Sequence, residues 1–197
     1  ETRFEDSTRE QTDYETSFNL GYQFDNSLVQ LNGLYGGDCA PEDKERLINN
    51  FSDTGIVSQL EREDIDRCRE NWEIGGDYEY EFRNGGKYRF LFIVNDGQWL
   101  QERDRFEVFD DREEKDLFLY NNGRDQERIF RTSYTFDPIP NHGLEFGIER
   151  AQTLRDGNLR LGLDLGGTPS PEHGFLTAVT VDNSNSTVEE VRYENFL

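Results

Sequence analysis

The segment WEIGGDYEYEFRNGGKYRFLFIVNDGQ (72–98) reads as two strands around a tight turn. Tyr78, Tyr80 and Phe82 alternate with Glu79, Glu81 and Arg83. Beyond Asn84-Gly85-Gly86, Tyr88, Phe90, Phe92 and Val94 form one face of the next run. A side-chain period of two, with one apolar and one polar face, is the mark of a strand. Asn-Gly marks a hairpin because both residues tolerate positive φ. The pattern recurs in both directions. Upstream, Phe18, Leu20, Tyr22 and Phe24 share a face, and Asp25-Asn26-Ser27 leads into LVQLNGLY (28–35). Downstream, Phe130, Thr132, Tyr134 and Phe136 oppose Arg131, Ser133 and Thr135. After the turn PIPNH (138–142), Leu144, Phe146 and Ile148 alternate with Glu145, Gly147 and Glu149. Leu159, Leu161, Leu163 and Leu165 then alternate with Arg160, Gly162 and Asp164. The expected fold is all-β and antiparallel, with an up-and-down order of strands.

The connections fall into two kinds. Three are short, and each is preceded by Tyr-x-Phe: YQF (22–24), YEF (80–82) and YTF (134–136). The others are long and acidic. Gly37 to Glu70 holds ten acidic and five basic residues, and Asp96 to Glu127 holds eleven and five. A third loop is expected at 166–186. Loops longer than about 15 residues are uncommon in compact domains unless they serve function. Pro41-Glu42-Asp43 before Lys44–Asn50 suits a helix start, and Ser58–Arg69 is weakly amphipathic, so short helices are expected within the 38–70 loop. Cys39 and Cys68 bracket this region. They either form one disulfide, closing a loop worth ~3 kcal/mol, or stay as two thiols.

Composition bounds the function. The chain has 197 residues, 42 acidic and 21 basic, for a net charge of −21. That charge disfavours nucleic-acid and anionic-lipid surfaces. No apolar run reaches the ~18 residues of a membrane-spanning helix. Low hydrophobicity and high charge suggest disorder, but 15 Phe, 9 Tyr and 2 Trp argue for a fold. Beginning at Glu1, the chain is expected to be an excerpt of a longer protein.

Alternation alone leaves two architectures open. In a soluble sandwich the Phe and Leu faces meet in a dry core. In a membrane barrel they meet lipid, while Glu79, Glu81, Arg131, Glu145, Glu149, Arg160 and Asp164 line a polar lumen. Aromatics beside the short turns fit an interfacial girdle, and short turns opposite long loops fit such barrels. The aromatics also fit ordinary cross-strand packing in a soluble sheet, whereas the asymmetry of turns and loops favours the barrel.

The strings at 72–98 and 131–165, and the tail GTPSPEHGFLTAVTVDNSNSTVEEVRYENF (167–196), resemble strand-turn-strand units of TonB-dependent outer-membrane receptors. The likeness covers roughly residues 15–197. It does not include the family's TonB-contacting box, its plug or its closing terminal strand. The resemblance implies that residues 1–197 are a middle section of a transmembrane β-barrel, with seven or eight of ~22 strands. It further implies energy-coupled uptake of a scarce nutrient, such as a siderophore–iron complex, across the bacterial outer membrane. The implied partners are outer-membrane lipid, the TonB complex and a periplasmic binding protein, the last two through regions outside this chain. The segments 37–70, 96–127 and 166–186 would form an external vestibule, with Trp72 and Trp99 as its ligand-contacting aromatics. The alternatives are a soluble, secreted binding module of carbohydrate type, with both Trp in one groove, and a small passive outer-membrane barrel.

Enzyme chemistry has little foothold. His142 and His173 pair with no GxSxG, CxxC or HExxH motif. Asp164-Leu165-Gly166-Gly167-Thr168 resembles a phosphate-binding turn of sugar kinases, but only 29 residues follow it. Acid pairs are expected by chance at this composition. Asp104–Asp116 offers oxygens for calcium without a DxDxDG loop. Asn50-Phe51-Ser52 and Asn185-Ser186-Thr187 match the glycosylation pattern. The chain is read as a non-enzyme with no cofactor.

Overall fold

The computed structural model describes residues 1–52, 55–139, 142–182 and 185–196. They form one antiparallel sheet of eleven strands. The strands are β1 (Thr2–Arg9), β2 (Thr12–Gln23), β3 (Ser27–Cys39), β4 (Glu42–Ser52), β5 (Gly55–Glu81), β6 (Lys87–Val108), β7 (Glu113–Ile139), β8 (His142–Leu163), β9 (Pro169–Ser170), β10 (Leu176–Val179) and β11 (Asn185–Phe196). Strand β3 pairs with the lower half of β5 and carries β2 on its other edge, and β4 pairs with the upper half of β5 and carries β1. Then β6, β7 and β8 follow in chain order, and β8 pairs with β10 above and β11 below. The chain thus makes seven passes, and the sheet is open rather than closed into a barrel.

The short turns follow from their residues. At Asn84-Gly85-Gly86, Gly85 sits at φ 83°. Phe82 N–H donates to Gly86 O at 2.7 Å, and the Asn84 side-chain oxygen accepts from Gly86 N–H at 3.2 Å. Phe24 N–H donates to Ser27 O at 2.7 Å to close the β2–β3 turn. The centre of the turn expected at 138–142 lies outside the described residues.

The disulfide is present between Cys39 and Cys68. These residues are the last register pair of β3 with β5. Just beyond them Ala40 N–H still donates to Arg67 O at 2.8 Å. Pro41 has no N–H to offer, so the ladder breaks there and β4 takes over. The bond therefore clamps the point where β5 changes partners, and does not close the base of a loop.

The expected helices and long loops are replaced by strand. Among the described residues there is no α-helix, only a 3-10 turn at Pro171–His173. Most of 37–70 and 96–127 extends β3 to β7, with Phe109–Arg112 turning between β6 and β7. Of the third expected loop, the described residues 166–182 keep a looped character, with β9, the 3-10 turn and β10 folded along them, and β11 begins at Asn185. The physical reason is cross-strand charge pairing. These segments are charged on both faces and show no apolar period, yet Arg46 reaches Glu61 at 3.1 Å and Glu5 at 2.9 Å, and Arg105 reaches Asp116 at 2.7 Å. Opposed opposite charges stabilise a sheet as apolar pairs do. Within 104–116, Lys115 pairs with Asp104 Oδ2 at 2.8 Å and Arg105 with Asp116 at 2.7 Å, while Asp104 Oδ1 is buried without a hydrogen-bond partner.

With strands of up to 27 residues, β5 and β7 run ~90 Å. One layer buries little. Among the described residues only Ala40, Ile48, Ile65 and Phe118 form buried apolar positions.

Candidate functional site

Register divides the side chains of the lower sheet into two faces. Tyr22, Val29, Tyr78, Phe90, Thr132 and Ile148 lie in one row of the apolar face. Glu79, Arg89, Ser133 and Gly147 lie in one row of the other. The apolar face is open to its surroundings: Leu20 is 63%, Tyr22 64% and Ile148 56% exposed. The charges behind it are exposed as well, with the Arg89 side chain 61% and Arg131 47% exposed, and the enclosed carboxylates Glu61 and Glu63 belong to the upper sheet. Along β4, Glu42, Lys44, Arg46 and Ile48 are more enclosed than Asp43, Glu45 and Leu47. A soluble domain encloses its apolar face and wets its polar one.

The apolar face forms a belt with a sharp upper margin. Above the turns, its first charged residue is Glu70 on β5, Asp96 on β6, Arg128 on β7 and Arg150 on β8. Glu70 opposes Gln98, Asp96 opposes Trp72, Arg128 opposes Val94, and Arg150 opposes Phe130. These are four successive rows, so the margin descends two residues per strand, about 6–7 Å for each ~4.8 Å step across the sheet. Tilted strands crossing one level boundary give such an oblique margin. On β5 the uncharged stretch runs from Trp72 to Phe82 at the turn, close to the ~9–11 residues of a membrane-crossing strand.

The lower rim is aromatic. Tyr80 and Phe82 rings stand 4.7 Å apart, Phe82 and Tyr134 5.7 Å, Tyr134 and Phe136 5.8 Å, and Phe136 and Phe146 5.4 Å. Tyr22 and Phe24 stand 4.6 Å apart beside their own turn. The Tyr-x-Phe repeat thus becomes a row of ring contacts along the short-turn end.

The polar face behind the belt carries both signs of charge. Arg89 meets Glu79 at 2.7 Å, Lys87 meets Glu79 at 3.7 Å, and Arg131 meets Glu149 at 3.8 Å. Gln30, Asp77, Arg89, Leu91, Arg131 and Glu145 line a depression of about 430 Å³ there. Paired charges over an open groove suit contact with a polar solute. No nucleophile with a base beside it occurs among these lining residues.

The sequence-expected residues divide. Glu79, Glu81, Arg131, Glu145 and Glu149 share the polar face by register. Arg160 does not. It opposes Tyr120 on the side continuous with the belt, and its guanidinium lies 5.1 Å from the Tyr120 ring centre. Read as a separate run, Leu159–Leu165 sets its own inside. As part of the continuous β8, its leucines fall on the face of Glu145, and Arg160 turns outward. Asp164 lies past the end of β8, where its N–H donates to Asp116 O at 3.1 Å. The tryptophans separate as well. Trp72 opposes Asp96 and Tyr35 at the belt margin, while Trp99 opposes Arg69 and Gly123 on the polar face. A Cβ at Gly123 would lie 2.6 Å from the Trp99 ring, so glycine lets the indole lie flat on β7.

Sequence reading missed Arg128 and Arg150. Their signal is positional: each continues the parity of the apolar residues Phe130 and Ile148 just where the apolar run ends. Asp96 was also missed. It is 7% exposed and accepts from Arg124 Nε at 2.9 Å, with Gln126 Nε2 donating at 2.5 Å. The Arg124 bond holds the Asp96 carboxyl below the usual carboxylate range, against the opposing effect of burial. A depressed folded-state pKa gives stability that is full above the ordinary value near 4 and lost as pH falls below it. Because Arg124 is half-exposed, the contribution is ~1 kcal/mol. Asp96→Asn is expected to lose about that much at pH 7 and to show a flatter stability curve below pH 4 in acid titration of unfolding.

No family model matches this chain, and no curated protein or solved structure is similar to it.

Proposed function

We propose that this chain is a wall section of a bacterial outer-membrane barrel for TonB-coupled uptake of a scarce nutrient, with a siderophore–iron complex as the leading substrate class. The observation that carries the reading is the exposed belt of aromatic and aliphatic side chains, with its oblique charged upper margin and its row of rings at the short turns. In lipid, every strand needs a paired neighbour and an apolar outer face. The open sheet leaves β1, β2, β9 and β11 with free edges among the described residues. Closure takes further strands. Strands ~90 Å long exceed any hydrocarbon layer, so their charged upper halves stand outside it as a rigid vestibule wall. Trp99, above the polar face, is the aromatic best set to meet a ligand there. TonB and the periplasmic binding protein engage regions outside this chain.

The soluble binding module calls for both tryptophans in one groove, whereas Trp72 and Trp99 occupy opposite faces. The test uses the full-length protein in its cells. The expected result is extraction only with detergent, a gel band whose mobility changes on heating, and energy-dependent uptake of iron chelates lost on deletion. A water-soluble monomer with no heat-dependent mobility would overturn the reading.

A further inference from the structure

High on the upper sheet, the face continuous with the belt carries a second apolar patch. Phe4, Leu47, Leu60 and Val108 form one register row across β1, β4, β5 and β6. Toward the end of the β4–β5 hairpin, Asn49 opposes Ser58, and beyond them Phe51 opposes Ile56. Phe4, Leu47, Leu60, Phe51 and Ile56 are all exposed, Phe4 to 63%. Ser58 Oγ donates to the Asn49 side-chain oxygen at 2.7 Å, so the polar pair within the patch satisfies itself. Leu60 stands about 40 Å along β5 above Trp72, so in the membrane reading no hydrocarbon reaches the patch.

The next row of this face toward the belt holds Asp6, Glu45 and Arg62. Asp6 and Glu45 are directly opposed carboxylates, and neither makes an ion pair among the described residues. Arg62 opposes Glu45 but gives its guanidinium to Asp64 at 2.6 Å and Glu113 at 2.8 Å. In the row after that, Asp43 opposes Asp64. Like charges set opposite each other destabilise a sheet. The apolar row is thus bordered by an acidic rim that the described cations leave unneutralised.

We propose that this face of the upper sheet docks a cationic amphipathic helix of a partner protein, its apolar stripe on Phe4, Leu47 and Leu60 and its lysines or arginines on Asp6 and Glu45. Charge complementarity decides the occupant. A second copy of the chain would bring a further net charge of −21 to an acidic rim, whereas a cation there relieves the opposed carboxylates. The size agrees. From β1 to β6 the row spans ~14 Å, the length of about ten helical residues, and the acidic row lies ~7 Å from it, within the width of a helix. The inference goes beyond the uptake reading and takes from it only the level of the bilayer.

The test measures binding of a synthetic amphipathic leucine–lysine helical peptide to the full-length protein in phosphatidylcholine nanodiscs, with binding to empty nanodiscs subtracted. Leu47→Thr/Leu60→Thr and Asp6→Asn/Glu45→Gln are each expected to bind about tenfold more weakly. Phe175→Ser, which removes an exposed ring from the third loop, is expected to bind as the wild type. The leucine–glutamate counterpart of the peptide is expected not to bind. Asp6→Asn/Glu45→Gln removes a repulsion and is expected to unfold no more readily than the wild type, which keeps the test valid if the leucine variant misfolds. Unchanged binding by Asp6→Asn/Glu45→Gln, an equal loss in Phe175→Ser, or equal binding of the glutamate peptide overturns the inference. Self-association of the protein that Leu47→Thr/Leu60→Thr abolishes would give the row to a second copy and overturn it too. None of these results alters the heat-dependent mobility on which the barrel reading is tested.

Discussion

Phe92→Arg is expected to cost the membrane-embedded protein about 2–4 kcal/mol, and Leu91→Arg less than ~1 kcal/mol. The two positions are adjacent on β6, and only their face differs. Phe92 opposes Gly76 and Phe130 in the middle of the belt, and its ring covers Gly76, where a Cβ would lie 2.9 Å from it. A guanidinium there must be desolvated or must distort the bilayer to reach water. Leu91 opposes Asp77 and Arg131 on the polar face, where a new arginine gains Asp77 as a partner. Urea unfolding of both variants of the full-length protein in vesicles measures the difference. Equal losses would mean that the two faces see the same medium.

Cys39→Ser/Cys68→Ser is expected to lose ~3–4 kcal/mol, the loop-closure contribution for a separation of 29 residues. The bond has a second, local role. It holds the last β3–β5 pair beside Pro41, where the ladder has one fewer donor and β4 begins. Opening in the variant is therefore expected first at Asp38–Glu42. Hydrogen exchange of the Ala40 amide, which bonds to Arg67 O at 2.8 Å, reports it. Unchanged stability and unchanged exchange would show that the register alone fixes the fork.

The lower sheet was legible because its chemistry is two-valued. Phe18–Phe24, Tyr78–Phe82, Tyr88–Val94, Phe130–Phe136 and Leu144–Ile148 each alternate apolar with polar, and each keeps that alternation in strand, Phe24 and Phe82 sitting one residue past the ends of β2 and β5. The disulfide was legible as one of two options. The upper sheet was not, because Arg46, Glu61, Glu63 and Arg103 are enclosed residues that any hydropathy pattern assigns to solvent. Their pairs come from strands 15 to 40 residues apart, and no local window contains both partners. That is why charged strands read as loops and weak helices. Arg160 was misassigned for a related reason: β8 is continuous, so the apolar runs at 144–148 and 159–163 use opposite faces, and only the register reveals the switch. Arg128 and Arg150 needed the oblique margin, which exists only when the strands are set side by side.

The central claim is that the even-numbered residues of β6 between Tyr88 and Val94 face lipid and the odd-numbered ones do not. Nitroxide labels placed singly at positions 88 to 94 of the full-length protein in bilayers test it directly, by comparing collision with oxygen, which concentrates in lipid, against a water-soluble nickel chelate. The expected result is a period of two, with oxygen access highest at 88, 90, 92 and 94 and chelate access higher at 89, 91 and 93. Maxima at the odd positions, or chelate access equal at all seven, would contradict the account.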